Sequence, residues 1–153
     1  MIKILAVCAL LAAGAQAATG SNYALGINLG EASNGSGFSG LNFRVGQDET
    51  LDLIAAWNAG GGGSSTFILN GNYLHHTAPI LPQIPIKGVV PYAGIGLGLW
   101  MNDNSGAWVQ IPLGIDLRFS APVEVSVYIA PGIDLIPSTQ MNMHFGVGVR
   151  YWL

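Results

Sequence analysis

From Asn22 to the last residue, apolar side chains recur at every second position in segments about nine to thirteen residues long. The clearest segment is Met141–Leu153. Its odd positions are Met, Met, Phe, Val, Val, Tyr and Leu, and its even positions are Asn, His, Gly, Gly, Arg and Trp. A period of two places alternate side chains on opposite faces of a β-strand. The same rule predicts seven further strands, at 22–30, 37–46, 50–58, 66–75, 89–101, 107–119 and 123–135. In each, one face is apolar and the other holds Gly, Asn, Ser or a charge. Ser33–Ser36, Gln47–Glu49, Gly60–Ser65, Asn102–Gly106 and Pro137–Gln140 read as turns or loops. The link His76–Lys87 carries Pro79, Pro82 and Pro85 and reads as long and irregular. Pro112 and Pro131 fall inside strands, where bulges or ladder breaks are expected.

Composition decides what surrounds these strands. Hydrophobic residues make up 50% of the chain and charged ones only 8%, against about a quarter charged in a soluble domain. No internal apolar run approaches the roughly 20 residues of a spanning helix. The remaining membrane solution is a closed barrel. Eight such segments predict one all-β domain, an eight-stranded antiparallel up-and-down transmembrane β-barrel with lipid as its outer partner. A soluble eight-stranded barrel has the reverse arrangement, an apolar lumen and a charged exterior. The chain carries a net charge of −3 and no basic cluster, so nucleic acid is not an expected partner.

Residues 1–17 have the form of a signal peptide. Lys3 supplies a positive start, Ile4–Ala13 an apolar stretch and Ala15-Gln16-Ala17 a cleavage site. The barrel domain is then residues 18–153. Cys8, the single cysteine, lies within the apolar stretch after Val7, which does not suit lipidation. An even strand count puts both barrel ends on one side, the periplasm in an outer membrane. A Gram-negative outer membrane and a monomeric state are expected.

The charges then fall into place. Arg44, Asp52, Asp116, Arg118, Glu124 and Arg150 all sit on the inner face near the periplasmic end. They are three cations and three anions, and an unpaired charge in a narrow lumen is costly. A neutral ion cluster plugging that half is expected. Arg44 should meet Asp52 across one turn and Arg118 should meet Glu124 across another, with Arg150 reaching Asp116 or a neighbouring acid. Tyr23, Phe43, Tyr73, Phe119 and Tyr151 face outward at the same end, as an interfacial girdle would. An eight-stranded lumen is filled by side chains rather than open, although its many glycines leave room for small water pockets.

Candidate chemistry is sparse. His75 and His76 are adjacent, so they point to opposite faces and make a poor metal site; a structural or exposed role is expected. His144 and Asp134 face the lumen, with Ser126 or Ser138 as a conceivable nucleophile, but a triad requires geometry. Gly60–Gly63 lacks the Lys-Ser/Thr of a phosphate loop. These residues lead to the expectation of no catalytic activity and no cofactor or metal, and of an envelope structural or surface-contact role. A lipid-modifying enzyme and a minor porin-like channel are the alternatives.

The segments Val90-Pro-Tyr-Ala-Gly-Ile-Gly, Val109-Gln-Ile-Pro-Leu-Gly-Ile and Ala121-Pro-Val-Glu-Val-Ser-Val-Tyr-Ile-Ala-Pro-Gly-Ile-Asp-Leu-Ile-Pro-Ser-Thr, with the ending Gly148-Val-Arg-Tyr-Trp-Leu, carry a resemblance. From about Tyr73 onward the chain resembles a family of small outer-membrane β-barrels first noted in spirochaetes. That resemblance implies an OmpA-like barrel of largely unassigned function. Gly148, Tyr151 and Leu153 also resemble the C-terminal signal read by the barrel-assembly machinery, with Leu where Phe is usual.

Overall fold

The computed structural model describes residues 22–32, 36–58, 65–80, 86–103 and 105–153. The expected signal peptide at 1–17, residues 33–35 of the first turn, the Gly60–Gly63 loop, and Pro82 and Pro85 lie outside these residues. Among the described residues no helix is long and apolar enough to cross a membrane.

The strands are β1 (Tyr23–Ala32), β2 (Gly37–Val45), β3 (Glu49–Asn58), β4 (Thr66–His76), β5 (Ile86–Met101), β6 (Gly106–Gln110), β7 (Leu113–Phe119), β8 (Val123–Ile136) and β9 (Gln140–Trp152). Neighbours pair antiparallel, and β9 returns to pair with β1, from Ala24 opposite Trp152 to Ala32 opposite His144. β6 and β7 both lie between β5 and β8 and form two halves of one stave. The product is the closed, all-β, eight-stranded antiparallel barrel. Among the described residues every strand is paired on both sides, so closure removes the strand edges.

Alternation along each strand sorts the side chains. Leu41, Leu53, Leu97, Val127 and Val147 are exposed on the outside, while Asn42, Arg44, Asp52, Asp116, Glu124 and Arg150 are buried inside. The exterior is apolar and the interior polar, the reverse of a soluble barrel.

The two prolines behave differently from each other. At Pro112 the ladder is interrupted locally, as expected, and pairing resumes in the same register on both flanks. Gln110 and Leu113 lie opposite Gly96 and Ala93 on one side, and opposite Gly132 and Ile129 on the other. Pro112 lacks only the N–H, and its carbonyl still accepts from Gly94 N at 2.9 Å. Pro131 stays within β8 opposite Met143, and its carbonyl accepts from Ile111 N at 2.9 Å. No residue is inserted at either proline. Register irregularities occur instead between Ile86 and Gly88 and between Ala107 and Trp108.

The long link also begins more regularly than its prolines imply. Thr77 N donates to Pro91 O at 2.9 Å, and Ile80 and Val89 exchange two backbone bonds of 2.8 and 3.0 Å. The ladder between β4 and β5 therefore runs past the end of β4. At the β2–β3 turn, Gly46 has φ 96°, and a Cβ there would meet Glu49 O. Only glycine takes that conformation without strain.

Four of the inward glycines hold rings rather than open space. A Cβ at Gly98 would enter the Trp108 ring, at Gly106 the Trp100 ring, at Gly114 the Tyr92 ring, and at Gly30 the Phe38 ring. Each glycine is a socket for an aromatic ring from a neighbouring part of the wall.

Candidate functional site: a buried ion network in the lumen

The network forms where the β2–β3 turn, the β7–β8 turn and the ends of β1 and β9 lie together. Arg44 and Asp52 are direct cross-strand partners, as are Arg118 and Glu124, and Glu124 and Arg150. Local register thus sets three pairs. Longer side chains then join the pairs across the lumen.

Arg44 is the hub. Its Nε donates to Asp52 Oδ1 at 3.0 Å, and its Nη1 lies 2.5 Å from Asp116 Oδ2 and 2.7 Å from Glu124 Oε1. Arg150 Nε donates to Glu124 Oε1 at 3.0 Å, and its Nη2 to Asp116 Oδ1 at 3.1 Å. Arg150 Nη1 donates to Asn42 Oδ1 at 2.9 Å, while Asn42 Nδ2 donates to Asp52 Oδ1 at 3.0 Å. Arg118 is partly exposed and closes the end. Its Nε lies 3.2 Å from Glu124 Oε2, and its Nη2 donates to Gln47 O at 2.9 Å, tying β7 to the turn between β2 and β3.

All six charged residues singled out in the sequence are therefore brought together. Each of the three carboxylates receives at least two charge-assisted bonds, the condition under which buried ions are tolerated. Sequence reasoning missed His76. Its Nε2 lies 2.8 Å from Asp116 Oδ2, and its Nδ1 lies 3.1 Å from Thr50 Oγ1 and 3.2 Å from Asp48 O. The ring packs on Tyr92 at 5.1 Å between centroids, and the Arg44 Cζ lies 5.8 Å over that same tyrosine. The signal was present in the alternation: Asn70 and Asn72 face inward, so His76 does too. His75, on the opposite face, is exposed and pairs with Glu49 at 2.5 Å.

The other half of the lumen is filled by rings. Trp100 stacks on Trp108 at 5.6 Å, Trp108 on His144 at 5.1 Å, and Phe38 lies 6.4 Å from His144. Trp108 Nε1 donates to Gln110 Oε1 at 2.7 Å, and Gln110 Nε2 to Asn72 Oδ1 at 2.8 Å. The conceivable triad is not assembled. His144 stacks on an indole, Asp134 accepts from Gln140 and Asn142, and Ser126 Oγ lies 3.3 Å from Tyr92 Oη. Among the described residues no group of three His, Cys, Asp or Glu could hold a metal ion.

Outside, Tyr23, Phe43 and Tyr73 are exposed, Phe119 and Tyr151 are half-buried, and Tyr23 stacks on Phe43 at 6.3 Å. A second aromatic level lies at the far end, where Trp57 stands opposite Phe67. The three terminal residues also have places. A Cβ at Gly148 would lie 3.0 Å from Arg150 Nη1, Tyr151 pairs with Leu25 and Val123, and Leu153 N donates to Tyr23 O at 2.9 Å.

The fold defines a class, the small eight-stranded barrels of outer-membrane type. Among solved structures, Neisserial surface protein A (NspA) superposes with a TM-score of 0.62 at 12% identity, covering 87% of this chain and 98% of that one. The outer-membrane enzyme PagL superposes with a TM-score of 0.60 at 13% identity, over 85% and 99% of the two chains. A de novo designed transmembrane β-barrel gives 0.54 at 13%, over 87% and 97%. At these identities the likeness shows the fold alone. No family model matches the chain, and no curated protein matches its sequence. The resemblance to the spirochaete family thus stands only at the coarser level of small outer-membrane barrels. The expectation of no catalytic activity is corrected, because PagL is an enzyme on this fold and the fold gives no ground for excluding catalysis.

Proposed function

We propose that the chain is an integral outer-membrane β-barrel protein with an envelope structural or surface-contact role, its lumen closed by the ion network. The observation that carries this is the inverted barrel: large apolar side chains exposed all round the outside, and charged ones buried within. In hydrocarbon each unpaired backbone polar group costs several kcal/mol, and a closed ladder pairs them all. On this reading residues 1–17 direct export and are removed, and the ion network lies at the periplasmic end. The Tyr23, Phe43, Tyr73, Phe119 and Tyr151 belt then sits at the lipid headgroups. Gly148, Tyr151 and Leu153 serve recognition by the barrel-assembly machinery, and the mature barrel is a monomer in lipid.

Membrane fractionation with heat-modifiable gel mobility tests the reading. The expected result is an outer-membrane protein that resists carbonate extraction and migrates differently when unheated. Recovery in the soluble fraction would overturn it.

A second reading, a lipid-modifying enzyme, is favoured by one observation. The exposed His75 is held by Glu49 at 2.5 Å on the outward face, beside Tyr73 of the aromatic belt. A carboxylate-oriented imidazole is the general-base part of a hydrolytic site. Mass spectrometry of envelope lipids from cells expressing the wild type or His75→Ala distinguishes the two. A change in acyl composition that requires His75 would support the enzyme; identical lipids would leave the structural role.

A further inference from the structure

Between the ion network and the ring-filled half lies a small cavity. It leaves about 10 Å³ open to the centre of a water molecule. That is close to the roughly 10–15 Å³ one water needs. Its wall includes Asn28, Asp52, Tyr92, Ser126, Tyr128 and Arg150.

Two observations converge there. First, the loosest contact of the network opens onto this space: Arg150 Nη1 and Asp52 Oδ1 are 4.0 Å apart, too far for a direct hydrogen bond. A polar gap of that length between buried groups is the span a bridging water fills. Second, the wall supplies more hydroxyls than the protein engages tightly. Tyr128 Oη accepts from Asn28 Nδ2 at 2.9 Å, which leaves its own O–H to donate, and the Tyr92–Ser126 contact is long at 3.3 Å. Charge then selects the occupant. Asp52 disfavours an anion and Arg150 disfavours a cation, whereas a neutral dipole satisfies both, donating to one and accepting from the other. A buried water takes about three such partners.

We propose that this cavity is a binding site for one long-lived internal water, which bridges Asp52 and Arg150 and is held by the hydroxyls of Tyr128 and Ser126. The water bridges the loosest contact of the network and carries hydrogen bonding into the neutral half of the lumen.

Oxygen-17 magnetic relaxation dispersion on the full-length barrel in detergent micelles counts such waters. The wild type is expected to show a slowly exchanging population that falls by one molecule in Ser126→Val, whose added methyl occupies the space. Folding is verified by heat-modifiable mobility. In Tyr128→Phe, which keeps the ring and removes one holding group, the residence time should shorten several-fold. The proposal is overturned if the wild type shows no slowly exchanging water. It is equally overturned if a folded Ser126→Val retains the full count, or, should that variant not fold, if the residence time in Tyr128→Phe is unchanged.

Discussion

Gly98 lies directly opposite Trp108 across the β5–β6 ladder, and the indole occupies the space a Gly98 side chain would need. The ring has no retreat, since Trp100 and His144 stack on it. Gly98→Ala is expected to destabilise the barrel by about 1–3 kcal/mol, the usual penalty for overpacking a filled core. Gly71 is the control. It faces outward, and a Cβ there meets only Leu53 Cδ2 at 3.4 Å, so Gly71→Ala should stay within about 0.5 kcal/mol. Urea midpoints of the refolded proteins give both values, and equal losses would sink the socket argument.

Arg44 and Arg118 carry the same charge but not the same load. Arg44 is buried and serves three carboxylates, while the Arg118 side chain is 23% exposed and meets one. Removing one partner of a buried ion set costs about 3–5 kcal/mol, because the other charges stay behind. Arg44→Met should fall in that range. Arg118→Ala should lose about 1 kcal/mol or less, in keeping with a screened pair. Thermal unfolding by circular dichroism ranks them, and a smaller effect for Arg44 would remove it as the hub.

The adjacent histidines should separate cleanly. His76→Leu deprives Asp116 of a buried contact and is expected to cost about 1.5–3 kcal/mol, the range for hydrogen bonds to charged groups. His75→Ala breaks an exposed pair and should change stability by less than about 1 kcal/mol. Denaturant titration of the two variants reads the difference. A larger loss for His75 would contradict the inward placement of its neighbour.

Ion flow offers a direct view of the lumen. With the ion network at one end and the stack of Trp100, Trp108 and His144 toward the other, the wild type should give no stepwise current in a planar bilayer. Discrete, reproducible conductance steps in the purified protein would show that the two fillings do not block the path.

How far the sequence could be read depends on the kind of relationship. Alternation placed Arg44, Asp52, Glu124 and Arg150 on the inner face, and the short turns put Arg44 against Asp52 without any structure. Contacts across the lumen were beyond it. Arg44 and Asp116 are 72 residues apart, and their meeting depends on barrel diameter and stagger, which no local pattern encodes. The same is true of Gly98 and Trp108, since a one-residue slip in register would place the indole elsewhere. Parity alone could have found His76. A local break at Pro112 was legible because proline lacks an N–H; the unchanged register on either side of it was not.

Arg150 belongs to the last stave, yet its guanidinium serves Asn42 of the second stave, Asp116 on β7 and Glu124 of the adjoining strand. The contact with Asn42 forms only when β9 docks against β1 and the seam closes. A barrel lacking that stave would leave carboxylates in its lumen short of a cation, and such a partly built form is penalised. The network therefore behaves as a latch that engages only on completion. Opening and closing are favoured as a single cooperative event, with the first and last strands joining or parting together. Amide exchange along the β1–β9 seam should accordingly match the slowest exchange in the barrel.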